Sequence, residues 1–243
     1  MEKRDIIIFT STYYPSDSST DKIRAELALL TLKKSKEKGY EIVFIDGGYK
    51  GSFLSEIRRN GGILIKQSEK GLGNARRQGF REAYNKNKKV ILWTEPEKHD
   101  LIRSIPLIIR PLLEKKADLI VPKRKSMESY PLSQQLLEPF ANLFWKELTG
   151  TDLDLWIGVR ALRREVANYF INYFSEYDDK WDLLNMPLID MIKDKKVIKS
   201  VEIYYEYDSR QTEDEEHNLE ILKKRIEQLN TLINIEDYWK KKM

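Results

Sequence analysis

Apolar runs and helical stripes alternate along the first half of this chain. Ile6-Ile7-Ile8-Phe9 is a continuous apolar run of the kind covered on both faces of a sheet, and it ends in polar Thr10-Ser11-Thr12. Ile23, Leu27 and Leu30 then share one helical stripe across residues 21–36, with Ser18 and Asp21 at capping-box spacing before it and Gly39 just after it. The pattern predicts a strand over 41–45 halted by Asp46-Gly47-Gly48, a short helix over 52–59, and a strand over 63–66 after Gly61-Gly62. A helix over 73–85, a strand over 90–94, a helix over 99–114 and a strand over 117–122 follow. Pro106 and Pro111 predict a kink or an early stop in the helix that contains them.

Past residue 125 the rhythm changes. Leu136, Leu137, Phe140, Phe144 and Leu148 form an apolar stripe on a helix ending at Gly150, and 163–174 reads as another helix. Residues 197–207 are β-rich, and 213–232 is a charged amphipathic helix with Leu219, Leu222, Ile226 and Leu229 on its apolar side. The expected fold is α/β: a mainly parallel sheet flanked by helices, with a helical C-terminal extension and a ligand site at the carboxyl ends of the strands.

Composition narrows the chemistry. A chain of 243 residues suits one large domain. With no cysteine, disulfides, thiolate zinc sites and cysteine nucleophiles are excluded, so any metal must sit on oxygen or histidine ligands. The charged start Met1-Glu2-Lys3-Arg4-Asp5 lacks a signal-peptide core and no apolar run is long enough to span a bilayer, so the expectation is a soluble, cytoplasmic protein. The 43 basic and 39 acidic residues are spread along every predicted helix, which gives a mild bias towards anionic ligands and argues against a nucleic-acid partner.

The polar oddities collect at the strand ends. In Lys70-Gly71-Leu72-Gly73-Asn74-Ala75-Arg76-Arg77, the glycines either shape a turn or let backbone N–H groups approach a phosphate. Two arginines at a helix start, where the dipole disfavours cations, point to an anion such as phosphate, or else to a merely solvated face. Asp46 is either a turn former or an acceptor for a base imide or a ribose hydroxyl. Glu95-Pro96-Glu97 is either a loop pair around a turn proline or a pair of ligands for Mg2+ or Mn2+ bridging two phosphates; Lys98 adds the alternative of an ammonium offsetting the diphosphate. Asp152 and Asp154, with Trp156 and Arg160 following, suit a hydroxyl acceptor and a ring that stacks on a pyranose, or else a capped, partly buried loop. Of the two histidines, His217 lies beside the acidic stretch 213–216, which leaves a late metal ligand open.

In this order the motifs resemble the GT-A glycosyltransferases, particularly glycosyltransferase family 2 and its dolichol-phosphate-mannose-synthase-like branch, over roughly residues 5–205. The resemblance implies a single GT-A-like domain over 1–243, with a nucleotide-sugar-binding half (1–125), an acceptor half (126–210) and a C-terminal helix (211–243). It implies that Thr10, Asp46, Gly71, Gly73 and Arg77 hold the nucleotide and its diphosphate, with Arg77 matching the diphosphate arginine. Glu95 and Glu97 fall where the family carries Asp-x-Asp, and so take the Mg2+ or Mn2+, with His217 as a further ligand left open. Asp154 becomes the catalytic carboxylate, the base at the acceptor hydroxyl, and Asp152, Trp156 and Arg160 the acceptor residues.

Several residues depart from the family pattern. The glutamates are one methylene longer than aspartates and Pro96 fixes the turn between them; Ile157 and Val159 replace residues commonly small or aromatic. The membrane helices of some relatives are missing, which leaves only peripheral membrane contact open. The implied activity is that of a hexosyltransferase moving a sugar from a nucleoside diphosphate sugar to a small or cytosolic acceptor. The alternative is a catalytically weak nucleotide-sugar-binding protein on the same fold. A nucleotidyltransferase would place its glycine-rich loop after the first strand, where this chain has Thr-Ser-Thr-Tyr-Tyr-Pro.

Overall fold

The apolar run that opens the chain becomes the middle of a sheet. The computed structural model describes residues 3–49 and 52–243; Met1 and Glu2, the start of the charged N-terminal run, lie outside them. Its strands are β1 (Ile6–Tyr14), β2 (Glu41–Tyr49), β3 (Ile63–Lys66), β4 (Val90–Trp93), β5 (Leu119–Arg124), β6 (Arg160–Arg163) and β7 (Ile198–Ile203). They lie in the order β3-β2-β1-β4-β6-β5-β7, and β6 alone runs against its neighbours. Residues 6 to 9 are completely buried, as a strand covered on both faces requires.

Helices cover the sheet: α1 (Ser19–Glu37), α2 (Phe53–Arg59), α3 (Leu72–Asn85), α4 (Ile105–Leu113), α5 (Leu132–Thr149), α6 (Asn168–Ile171), α7 (Met186–Lys193), α8 (Ser209–Glu215) and α9 (Leu219–Lys242). The Ser18 hydroxyl caps α1 by accepting from the Asp21 amide, as the spacing predicts. α3 lies tight on β1 because Gly79 has no side chain: a Cβ there would run into the Phe9 ring. Phe80 extends the contact, 4.7 Å from Phe9 and 4.6 Å from Phe170 between ring centroids.

Four expectations need correction. β2 does not stop at Asp46 but runs on through both glycines to Tyr49, because Thr12 of the long β1 pairs with Asp46 and Tyr14 with Tyr49. The segment 99–114 is split, a 3-10 turn over His99–Ser104 giving way to α4, with Pro106 in the first turn, where its missing N–H costs nothing. The helix expected over 163–174 is only α6 after a 3-10 turn, since Arg160–Arg163 forms strand β6 between β4 and β5. The last helix is broken between Glu215 and Leu219, where Asn218 caps α9 by accepting from the Glu220 and Ile221 amides.

The stripes on α5 and α9 turn outwards only in part: Phe144, Leu148 and Leu229 pack against the core. Leu136 and Phe140 are 65% and 58% exposed, whereas Gln134, Glu138, Ala141 and Trp145 form the buried face of α5. On α9, Leu219, Leu222 and Ile226 are exposed, while Thr231, Leu232, Ile235 and Tyr238 are buried. Among the described residues no helix is long and apolar enough to cross a membrane.

Candidate functional site

A cavity of about 1000 Å³ opens at the carboxyl ends of β1, β2 and β4. Its floor carries Thr12, Tyr14, Gly47 and Trp93, its rim the 66–72 segment, and its far wall α5, the turn before β6, α8 and α9. Parallel strands end there with their side chains and loop amides pointing into a crevice, so the location follows from the topology.

The two arginines of α3 part company. Arg77 has its counterion within the protein: both guanidinium nitrogens donate to Asp179 at 2.6 Å, and Asn74 accepts a third bond. It is not among the residues that line the cavity. Arg76 does line it, buried, with its guanidinium carbon 4.8 Å from the Trp93 ring centroid and 5.6 Å from that of Trp181. Among the described residues its side chain donates only to the Lys180 carbonyl and its Nε has no partner, and burial lowers its pKa to about 10. Gly71 caps α3 and lines the cavity, whereas Gly73 lies against Asp179, which a Cβ would strike.

Glu95 and Glu97 follow β4 directly, and both line the cavity. Burial works to raise the Glu95 carboxyl, but Lys98, 3.0 Å away, holds it below its ordinary value. Burial pushes the Glu97 carboxyl up; Arg24 opposes the rise and Glu95 adds to it. Tyr14 donates to Glu97 Oε1 at 2.8 Å, which orients the carboxylate from the tip of β1. Lys98 lies over Tyr205 and Tyr207, 5.1 and 5.8 Å from their ring centroids.

The turn before β6 meets this strand end because Trp93 of β4 registers with Arg160 of β6. Trp156 lines the cavity from a 3-10 turn over Leu155–Ile157. Arg160 does not reach it: fully buried, it donates to the Leu184, Val159 and Leu155 carbonyls and to Asn185, pinning the turn to the entry of α7. Burial lowers its pKa to about 9. Asp154 is likewise tied down. It accepts from Arg124 at 2.7 and 2.6 Å, from the Arg124 amide and from Asn142, and it lines a smaller pocket behind α5 rather than the main cavity.

The remaining candidates lie apart. Asp152 is exposed and paired with Lys123 in that smaller pocket. Asp46, buried in β2, accepts from the Gly48 amide and has its carboxyl pushed up by burial; its neighbours Thr12 and Gly47, not Asp46, line the cavity. Thr10 is enclosed in the sheet with no hydroxyl partner among the described residues. His217 stands exposed at the break before α9, away from the cavity lining.

No protein-family model and no curated protein matches the chain. Solved structures do. Glucosyl-3-phosphoglycerate synthase of Mycobacterium tuberculosis superposes over 94% of this chain and 78% of its own, with a TM-score of 0.66 at 13% identity. A structure of that enzyme with Mn2+, uridine-diphosphate-glucose and phosphoglyceric acid gives 0.61 at 14% identity, over 95% of this chain and 80% of its own. A mycobacterial protein gives 0.65 at 12%, over 94% and 73%. The fold is GT-A. Within the GT-A class, the resemblance to the dolichol-phosphate-mannose-synthase-like branch rests on the sequence motifs alone.

In this GT-A sheet the strand end offers two acids for a cation, and among the described residues no group of three or more His, Asp or Glu side chains is gathered. Two carboxylates are enough for magnesium or manganese when phosphate oxygens and water complete the shell, so Glu95 and Glu97 fit that role. Several GT-A cavity residues carry no signal in the sequence. Arg24, Glu138 and Lys224 come from α1, α5 and α9 and Trp181 from the segment after α6, and they converge only in three dimensions.

Proposed function

We propose that this chain transfers a sugar, a hexose in the simplest case, from a nucleoside diphosphate sugar to an acceptor hydroxyl. One observation carries the reading: at the carboxyl ends of β1, β2 and β4, a single cavity gathers Arg76, a cation without an ion-pair partner among the described residues, a pair of acids, Glu95 and Glu97, and an aromatic wall of Tyr130, Trp156 and Tyr207. The fold supports it, and so do the solved neighbours, whose structures hold uridine diphosphate or its glucose derivative with Mn2+ or Mg2+.

In this reading the nucleoside lies over Thr12 and Gly47, and Arg76 and the amide end of α3 take the diphosphate. Glu95 and Glu97 hold a divalent cation, which when bound neutralises charge on the departing diphosphate. Tyr14 keeps Glu97 aimed at the crevice, and Trp156 gives the acceptor a face to stack on. Asp154 acts at one remove, fixing Arg124 and, through Asn142, the Leu155 amide of the turn that carries Trp156.

A second reading, binding without transfer, is favoured by the ion pair already formed between Glu95 and Lys98. A panel of nucleoside diphosphate sugars, with and without Mn2+, separates the two by thermal shift and by hydrolysis or transfer of the sugar. Stabilisation and turnover that both need Mn2+ support transfer. Stabilisation without turnover supports the binding protein, and no shift with any donor sinks both.

A further inference from the structure

The charges that line the cavity do not all cancel. Glu95 pairs with Lys98, Glu215 with Arg24 and Arg225, and Glu227 stands 3.8 Å from Lys180. Among the described residues, the partly or fully buried cations of the lining that have no carboxylate partner are Arg76 and Lys224. They come from opposite walls, α3 and α9, and stand at the same indole: the Lys224 ammonium is 5.5 Å and the Arg76 guanidinium 5.6 Å from the Trp181 ring centroid. The two charges are therefore no farther apart than those two distances together.

Among the described residues neither cation has an ion pair: Glu95, the acid whose charge favours both, is already paired with Lys98. Withdrawing a cation from water without a counterion is unfavourable, and two on one ring repel as well. Both groups register it: burial lowers the Lys224 pKa to about 8, with Arg225 and Arg24 adding to the fall and Glu215 and Glu95 opposing it, and burial lowers Arg76 against the pull of Glu95, Asp182, Asp179 and Asp178. An anion with two charged centres relieves both at once, each centre one contact from its own cation.

We propose that Arg76 and Lys224, joined through Trp181, form a diphosphate clamp in which the C-terminal helix supplies the second cation. This rests on the nucleoside-diphosphate-sugar reading above and adds that α9 is a working wall of the site rather than an appendage. The two positive charges match the two phosphates of a diphosphate, so a monophosphate engages only one of them. Above pH 8 the free ammonium of Lys224 loses its proton, and diphosphate binding then requires proton uptake.

Calorimetry with UDP, GDP and ADP, their monophosphates and their nucleosides tests the clamp, using the full chain with Lys224→Ala and Lys224→Arg variants at pH 7 and pH 9. For the base that binds, Lys224→Ala is expected to weaken the diphosphate about tenfold or more and the monophosphate about twofold or less. Lys224→Arg is expected to keep wild-type affinity at pH 7 and to abolish the fall between pH 7 and 9. Thermal melting without ligand is expected to show Lys224→Ala no less stable than wild type, because it removes an uncompensated charge. If Lys224→Ala binds the diphosphate as tightly as wild type, or loses both nucleotides equally, the clamp is wrong while nucleotide binding stands. If wild type binds none of the nucleotides, the clamp and the transferase reading fall together.

Discussion

Gly158 lies directly beneath the carboxylate of Glu95: a β-carbon at residue 158 would stand 2.9 Å from Glu95 Cδ. The glycine also holds φ at +68, a conformation that other residues adopt at a cost of about 1 kcal/mol. Gly158→Ala is therefore expected to push Glu95 off the turn before β6. Nucleotide affinity in Mn2+ should fall about tenfold, with a drop of a few degrees in melting temperature. Unchanged affinity would show that the position of Glu95 is immaterial.

Arg76 and Arg77 are neighbours in sequence with opposite assignments. Arg76→Met should weaken diphosphate binding about tenfold or more and leave the melting temperature near or above that of wild type. Arg77→Met should do the reverse, losing the Asp179 ion pair and about 1–3 kcal/mol of stability while binding nucleotide normally once folded. Denaturation curves and calorimetry on the two variants decide it, and a binding defect confined to Arg77→Met would restore the diphosphate role to that residue.

Tyr14 donates to Glu97 and so favours its charged form against burial, which raises its pKa. In Tyr14→Phe the carboxyl should protonate at a higher pH. As pH falls, the Mn2+-dependent part of nucleotide binding should disappear earlier than in wild type. Glu97→Gln should remove that part at every pH. Titrating Mn2+ at fixed nucleotide over a pH series measures both, and superimposable wild-type and Tyr14→Phe profiles would exclude Glu97 as a ligand.

Burial works to raise Asp154, yet Arg124 and its own hydrogen bonds hold the carboxyl below its ordinary value of 3.8. A depressed carboxyl contributes stability that is present above the unfolded value and lost as pH falls through the lower folded one. Asp154→Asn is expected to cost about 1–3 kcal/mol near neutrality, because Arg124 keeps its charge in a buried place with Glu138 as its one remaining carboxylate. The two proteins should converge only well below pH 3.8. Urea denaturation across pH tests this, and a stable Asp154→Asn protein that has lost only turnover would return Asp154 to catalysis.

Much of the first half could be read from residues alone. Continuous burial of 6–9 follows from an unbroken apolar run, and the Ser18 cap from its spacing to Asp21. What could not be read depends on partners distant in the chain. A helix turns 100° per residue, so which of Arg76 and Arg77 faces the crevice is decided by Asp179, about a hundred positions later. β6 has arginine at both ends and only four residues; Arg160 can be buried there only because the Leu184, Val159 and Leu155 carbonyls accept from it. On α5 only the Leu136 and Phe140 end of the apolar stripe points outwards, where Gln134 and Glu138 take the cavity side and a polar wall outranks periodicity.

Because β6 runs against β4 and β5, it gives the crevice the loop that enters it, whereas the parallel strands give the loops that leave them. Trp156 and Gly158 thus hang from a segment whose length is set by where α5 ends, at Thr149. Residues inserted between Gly150 and Leu155 would extend that wall alone. The Trp93 to Arg160 register, and the glutamates that follow β4, would stay where they are. The two sides of the cavity are in this sense separately adjustable, one by strand exits and the other by a single strand entrance.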